Sequence, residues 1–214
     1  MTPTLYGYWR SSAAYRLRIA LNLKGITYDQ ISINLKDGEQ SEAAWLSRQP
    51  QGLVPVLEMD GNNLLQSPAI LEWIEESWPT PALLPSDPVA RCTVRGWASV
   101  IGCDIHPLQN LRVLKAVAGD LGHGPDGMNA WAQRWIASGL ASLETLVEAT
   151  NPTGPFLWGD KPGMAEVYLV PQLYNARRWG VDLDAMPRLR RADEAAQALD
   201  AFTDALPENQ PDAN

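Results

Sequence analysis

Four prolines fall within ten residues, Pro79-Thr80-Pro81-Ala82-Leu83-Leu84-Pro85-Ser86-Asp87-Pro88. Proline has no backbone N–H and crowds the residue before it, so no helix runs through such a stretch. The backbone there is extended, and it divides the chain. Residues ahead of it change their hydrophobic period every few positions, whereas those behind it show no strand alternation. We read residues 1–80 as a small α/β domain, 81–88 as a linker and 89–214 as an all-helical domain.

Within the first part, Thr4–Trp9 is short, aromatic and apolar, which predicts a strand. Ser12 to Lys24 carries apolar or small residues at Ala13, Leu17, Ala20, Leu21 and Leu23 and is followed by Gly25. That is a helix with a serine N-cap and a glycine stop. Tyr28–Ile33 reads as a second strand and Gln40–Ser47 as a short helix. Val54–Met59 and Asn63–Leu65 flank Asp60-Gly61-Asn62, a hairpin signal. Ser67-Pro68 opens a helix, with serine at the cap and proline at the first helical position. The order is βαβαββα. Beyond the prolines we expect helices at Val89–Ala118, Met128–Ala149, Met164–Trp179 and Arg188–Ala205, and a disordered tail at Pro207–Asn214.

Composition narrows the function classes. A hydrophobic fraction of 45% with nine tryptophans supports a substantial core. A net charge of −8 is a poor match for nucleic acid, which calls for clustered Lys and Arg. No apolar run is long enough to span a membrane, and no leader pattern is present, so the cytoplasm is the expected location. Cys92 and Cys103 are too few for a disulfide-stapled fold, and on one continuous helix they stand about 16 Å apart. With His106 and His123 they match no zinc spacing; we expect buried thiols and no metal.

Four constellations carry possible chemistry. The first, Tyr8-Trp9-Arg10-Ser11-Ser12-Ala13-Ala14-Tyr15-Arg16, runs from a strand straight into a helix. A helix N-terminus offers unpaired N–H groups and partial positive charge, which stabilise a thiolate or another anion. Dithiol exchange at such a turn needs Cys-x-x-Cys, and Ser11, Ser12, Ala13 and Ala14 supply no sulfur. A serine hydroxyl here either caps the helix or hydrogen-bonds a sulfur brought by a ligand; the local residues leave both open.

The second is Gly52-Leu53-Val54-Pro55, ahead of a strand. Proline there belongs at an edge, a strand start or a cis turn, and trans is the commoner state. A cis Val54–Pro55 bond would turn the Val54 N–H and C=O outward, toward an extended peptide-like ligand. The third, Gln66-Ser67-Pro68, is a second helix start, suited either to capping or to holding a carboxylate. The fourth set is Arg10, Arg112 and Arg178. Each alone is more often a solvated surface charge. A chain of net −8 that accepts a dianion nevertheless needs arginines at the site.

Taken together these residues resemble the zeta class of glutathione transferases, whose members isomerise maleyl keto acids. The most specific stretch is Tyr8 to Leu21, close to the family pattern S-S-C-x-x-R-[VL]-R-I-A-L. Leu53-Val54-Pro55, Gln66-Ser67-Pro68-Ala69-Ile70, His106-Pro107-Leu108-Gln109-Asn110-Leu111 and Leu169-Val170-Pro171-Gln172 support it, and the match covers essentially the whole chain. The resemblance implies a glutathione transferase architecture: a thioredoxin-like N-terminal domain followed by an all-helical C-terminal domain, assembled as a homodimer.

It further implies that Val54–Pro55 is cis and that Val54 pairs with the cysteinyl part of glutathione. Gln66 and Ser67, with Gln51 nearby, would hold the γ-glutamyl end. Ser11 is the first choice for the hydroxyl facing the sulfur and Ser12 the second. Arg10 and Arg178 would hold the carboxylates of a small dianionic keto acid, with Asn110 as a further substrate contact. The implied reaction is cis–trans isomerisation by reversible addition of the glutathione thiol, in the catabolism of aromatic compounds and amino acids. The same cofactor site would also serve a general transferase that conjugates or dehalogenates electrophiles; paired arginines favour isomerisation. The chain departs from the pattern at Ala13, where the family has cysteine, and at Gly163-Met164-Ala165-Glu166, where a Ser/Thr-x-x-Asp capping box is usual. We expect the first to spare activity and the second to touch only helix stability.

Overall fold

The computed structural model describes residues 2–213. It forms two compact units, Met1–Leu83 with Gln197–Asn214, and Leu84–Ala196. The first unit therefore draws on both ends of the chain, where the sequence suggests a division into 1–80 and 89–214.

The first unit is a thioredoxin-like βαβαββα arrangement. Its strands are β1 (Thr4–Gly7), β2 (Asp29–Ser32), β3 (Val56–Met59) and β4 (Asn62–Leu65), in the sheet order β2-β1-β3-β4. β1 runs parallel to β2, through the crossover helix α1 (Ser12–Leu23), and antiparallel to β3. The short α2 (Ala43–Leu46) lies between β2 and β3 in sequence, and α3 (Ser67–Ser77) follows β4 and packs on α1. Ala13 to Leu21 of α1 are all buried, Arg16 and Arg18 among them.

Local chemistry accounts for the element ends. Gly25, at φ 67°, closes α1: its N–H donates to the Asn22 carbonyl and that of Ile26 to the Leu21 carbonyl. Asp60 and Gly61 take φ of 51° and 78° between Met59 and Asn62, the type I′ geometry that matches strand twist. The Val54–Pro55 and Thr80–Pro81 bonds are both cis.

The second unit is helical: α4 (Pro88–Ser99), α5 (Leu111–Ala118), α6 (Gly124–Glu148), α7 (Met164–Arg178) and most of α8 (Pro187–Gln197). The single helix expected over Val89–Ala118 is interrupted. α4 passes into a π-helical segment, Val100–Ile105, and Pro107 then lacks the N–H needed to continue a ladder. Close packing explains two small residues near this break. A Cβ at Gly102 would lie 3.0 Å from the Tyr168 ring, and one at Gly139 only 2.3 Å from Ile105. Cys92 and Cys103, expected to be buried, are exposed free thiols.

At the start of α7, Gly163 has no side chain to complete a capping box. Glu166 instead accepts from two amides, Leu157 N–H through Oε1 at 2.7 Å and Gly163 N–H through Oε2 at 2.8 Å. Burial outweighs these bonds and pushes its carboxyl up to about 6.

The final segment corrects two expectations. The helix read over Arg188–Ala205 splits into α8 and α9 (Asp200–Thr203). The tail expected to be disordered is ordered through residue 213: Pro207–Asn209 forms a 3₁₀ turn, and Gln210 is buried. The Gln210 amide donates to the Asp204 and Leu206 carbonyls, and the Asp212 carboxylate accepts from the Trp9 N–H. Small polar residues read as disordered when their partners lie about 200 positions away.

Candidate active site

Arg10, Ser11, Ser12, Gln51, Val54, Pro55, Gln66 and Ser67 all lie in the first unit. Tyr8 to Ser11 form a tight turn, closed by the Ser11 N–H donating to the Tyr8 carbonyl at 2.9 Å. Ser11 is the N-cap of α1, its Oγ accepting from the Ala14 N–H at 3.2 Å. Capping uses only the oxygen's lone pair, so the hydroxyl proton remains available to donate. The two roles that the sequence leaves open for Ser11 are thus compatible in one geometry. Ser12 is the first residue of the helix proper. The Arg10 guanidinium lies 5.0 Å from the centroid of the buried Trp9 ring, a cation–π contact that fixes where the charge sits.

The β3 ladder begins at Val56, so Val54 and Pro55 precede it and the Val54 N–H and C=O stand off the sheet. Trp45 supports this approach, its indole N–H donating to the Leu53 carbonyl at 3.2 Å. Gln66 occupies the N-cap of α3 with φ 70° and makes no side-chain cap. Its amide instead donates to Gln51 Oε1 at 2.5 Å, which brings these two candidates together. Ser67, read from sequence as the cap, is the first residue of α3 and buried; its hydroxyl accepts from Arg16 Nη1 at 3.5 Å. The α3 N-terminus therefore keeps amides that no side chain of its own satisfies. A peptide with a terminal carboxylate fits such a cradle: free strand-like backbone at Val54, amide side chains at Gln51 and Gln66, and helix N–H groups beside them.

Asn110 and Arg178 lie in the second unit. Asn110 caps α5, its Oδ1 accepting from the Arg112 N–H at 3.2 Å. Arg178 ends α7 with its guanidinium exposed, and its Nη1 donates to Asn175 Oδ1 at 3.5 Å. Asn175, buried, donates in turn to the buried Gln109 at 2.6 Å. This relay joins Arg178 to the residue next to Asn110. The pairing of Asn175 with Gln109 does not stand out in the sequence, because a buried amide pair 66 positions apart leaves no local pattern. Arg112 and Lys115 are both exposed on α5.

The chain also resembles known proteins over its whole length. Residues 1–76 match the family model described as the glutathione S-transferase N-terminal domain. The chain is 49% identical over 211 residues to the maleylacetoacetate isomerase of Pseudomonas aeruginosa, covering 97% of each chain. Among solved structures it is similar to the holo form of a maleyl pyruvate isomerase, a bacterial zeta-class glutathione S-transferase. There the TM-score is 0.96 at 44% identity, over 99% of this chain and 100% of that one. It is also similar to the maleylacetoacetate isomerase of Anaeromyxobacter dehalogenans with glutathione bound in the active site. That match has a TM-score of 0.90 at 48% identity, over 100% of this chain and 98% of that one. Likeness of this degree along the whole length, on a fold with a serine-capped α1, places the chain in a family: it belongs to the zeta class of the glutathione transferases.

Proposed function

We propose that this chain is a glutathione-dependent isomerase that converts a maleyl keto acid, maleylacetoacetate or maleylpyruvate, into its fumaryl isomer in the catabolism of aromatic compounds and amino acids. The observation that carries the reading is the α1 N-terminus, where Ser11 caps the helix and keeps a proton to donate in a turn without cysteine.

Bound glutathione supplies the thiol sulfur that adds reversibly to the double bond conjugated to the carbonyl. Ser11 donates to that sulfur and, with the α1 dipole, favours its thiolate form; Ser12 is the second candidate. The Val54 N–H and C=O pair with the cysteinyl backbone as a short strand would, and Pro55 fixes their direction. Gln51, Gln66 and Ser67, with the α3 N-terminus, hold the γ-glutamyl carboxylate. Arg10 and Arg178 hold the carboxylates of the dianionic substrate, and Asn110 is a further substrate contact. Two arginines in these roles would favour this reaction over conjugation of apolar electrophiles.

We also propose a homodimer and a cytoplasmic location, the latter in keeping with two exposed free thiols. No helix of the described residues is long and apolar enough to cross a membrane.

The test is isomerisation of maleylpyruvate and of maleylacetoacetate by purified protein, with and without glutathione. Turnover only with glutathione supports the reading, and the ratio of the two rates names the substrate. Glutathione binding without turnover of either acid would replace it with conjugation or dehalogenation.

A further inference from the structure

We infer that Asp212 positions the turn that carries Arg10 and Ser11, which makes the C-terminal segment part of the isomerase machinery; the inference rests on the reaction proposed above. In a turn such as Tyr8–Ser11 the second residue's N–H points away from the closing hydrogen bond and needs a partner elsewhere. Here that N–H belongs to Trp9, and it donates to Asp212 Oδ2 at 3.0 Å. The Ser32 hydroxyl donates to the same oxygen at 2.6 Å and so locks the carboxylate against the end of β2.

The other side of Trp9 is tied to the same segment. Its carbonyl accepts from Arg18 Nη2 at 2.9 Å, and Arg18 Nε donates to the Ala205 carbonyl at 3.0 Å. Both peptide groups flanking Trp9 are thus held by residues 205–212, one directly and one through a buried arginine. The segment is itself fixed, by the Gln210 bonds described above and by Asn22 Nδ2 donating to the Ala201 carbonyl at 3.0 Å. Arg10 and Ser11 follow Trp9 immediately, so a shift of this backbone displaces the guanidinium and the hydroxyl together. Charge-assisted bonds from a backbone N–H to a carboxylate suit such a role, being stronger than neutral ones and directional.

Asp212→Ala, Asp212→Asn and Ser32→Ala in the full-length protein test this, through turnover, glutathione KM, thermal unfolding and the pH titration of the bound thiolate's absorbance. Asp212→Ala is expected to lower kcat about 10-fold while glutathione KM changes less than about threefold. It should also raise the pKa of the bound thiol. Removing a carboxylate by charge alone lowers a neighbouring thiol's pKa, so a rise marks loss of geometry. Asp212→Asn keeps a carbonyl acceptor for the Trp9 N–H and should restore most of the turnover.

A folded Asp212→Ala protein with wild-type kcat, or with a thiol pKa unchanged or lowered, overturns the inference. Should that variant not fold, Ser32→Ala decides, since it loosens Asp212 from an exposed position. A drop in kcat of about threefold supports the inference, and wild-type kcat overturns it. If the wild type isomerises neither keto acid, the isomerase reading has failed, and the thiol titration alone decides the role of Asp212.

Discussion

Lys24 Nζ lies 2.6 Å from Glu75 Oε2, and both side chains are buried. The ammonium also donates to the Pro81 carbonyl at 2.6 Å, and the carboxylate accepts from the Leu83 N–H at 3.0 Å. One ion pair thereby ties the end of α1 to α3 and to the chain leaving it. Glu75→Ala strands a buried ammonium and is expected to cost about 3–5 kcal/mol in urea unfolding. The double variant Lys24→Met, Glu75→Leu should recover most of that loss. A double variant no more stable than Glu75→Ala would mean that the carbonyl and amide contacts, not the charges, do the holding.

Ser11→Ala removes both a cap and a donor. The cap is worth about 1 kcal/mol of stability. The lost donor should lower turnover about 100-fold while leaving glutathione affinity nearly intact. Ser12→Ala, measured beside it, separates the two serines: a larger drop there would move the donor role to Ser12.

Arg178→Ala is expected to raise the KM for the keto acid by about 10- to 100-fold, the worth of a charge-assisted carboxylate contact, with glutathione binding unchanged. Asn175→Ala should act in the same direction but less, since it only steadies the guanidinium. Loss of glutathione binding in Arg178→Ala would remove it from the substrate role.

Glu166 gives a pH dependence of definite sign. Its folded pKa, about 6, lies above the ordinary carboxylate value of 4.5 because burial disfavours the charge. Between those values the folded state holds the proton more tightly, so its contribution is full below pH 4.5 and is lost as pH rises through 6. The loss is about 2 kcal/mol at most. Stability of the wild type minus that of Glu166→Gln, measured by urea unfolding from pH 4 to 7.5, should fall across this window. A flat difference would show that the two amide bonds compensate fully for burial.

Much of this was legible locally. The proline run, the Asp60-Gly61 hairpin and the glycine after Lys24 are short-range signals, and each element they bound is present. The α1 start was legible for the same reason, since a serine before an apolar run needs only its own next turn. Ser67 misleads for the converse reason: its partner is Arg16, 51 positions earlier, and no capping rule looks that far. The π-helical segment contains Gly102, whose neighbour is Tyr168, again a distant contact. Site roles came from resemblance to a family, whereas the Asn175–Gln109 pairing and the role of Asp212 emerge only once the chain is folded.

The make-up of the first unit bears on synthesis. Its sheet and its helices α1 and α3 emerge from the ribosome early, yet Gln197–Asn214 is translated only after the whole second unit. Until then the Trp9 N–H lacks Asp212, and Arg18 lacks the Ala205 carbonyl. The nascent chain can therefore form its sheet well before the Tyr8–Ser11 turn is secured, so full catalytic competence waits until Ala205 and Asp212 have been made.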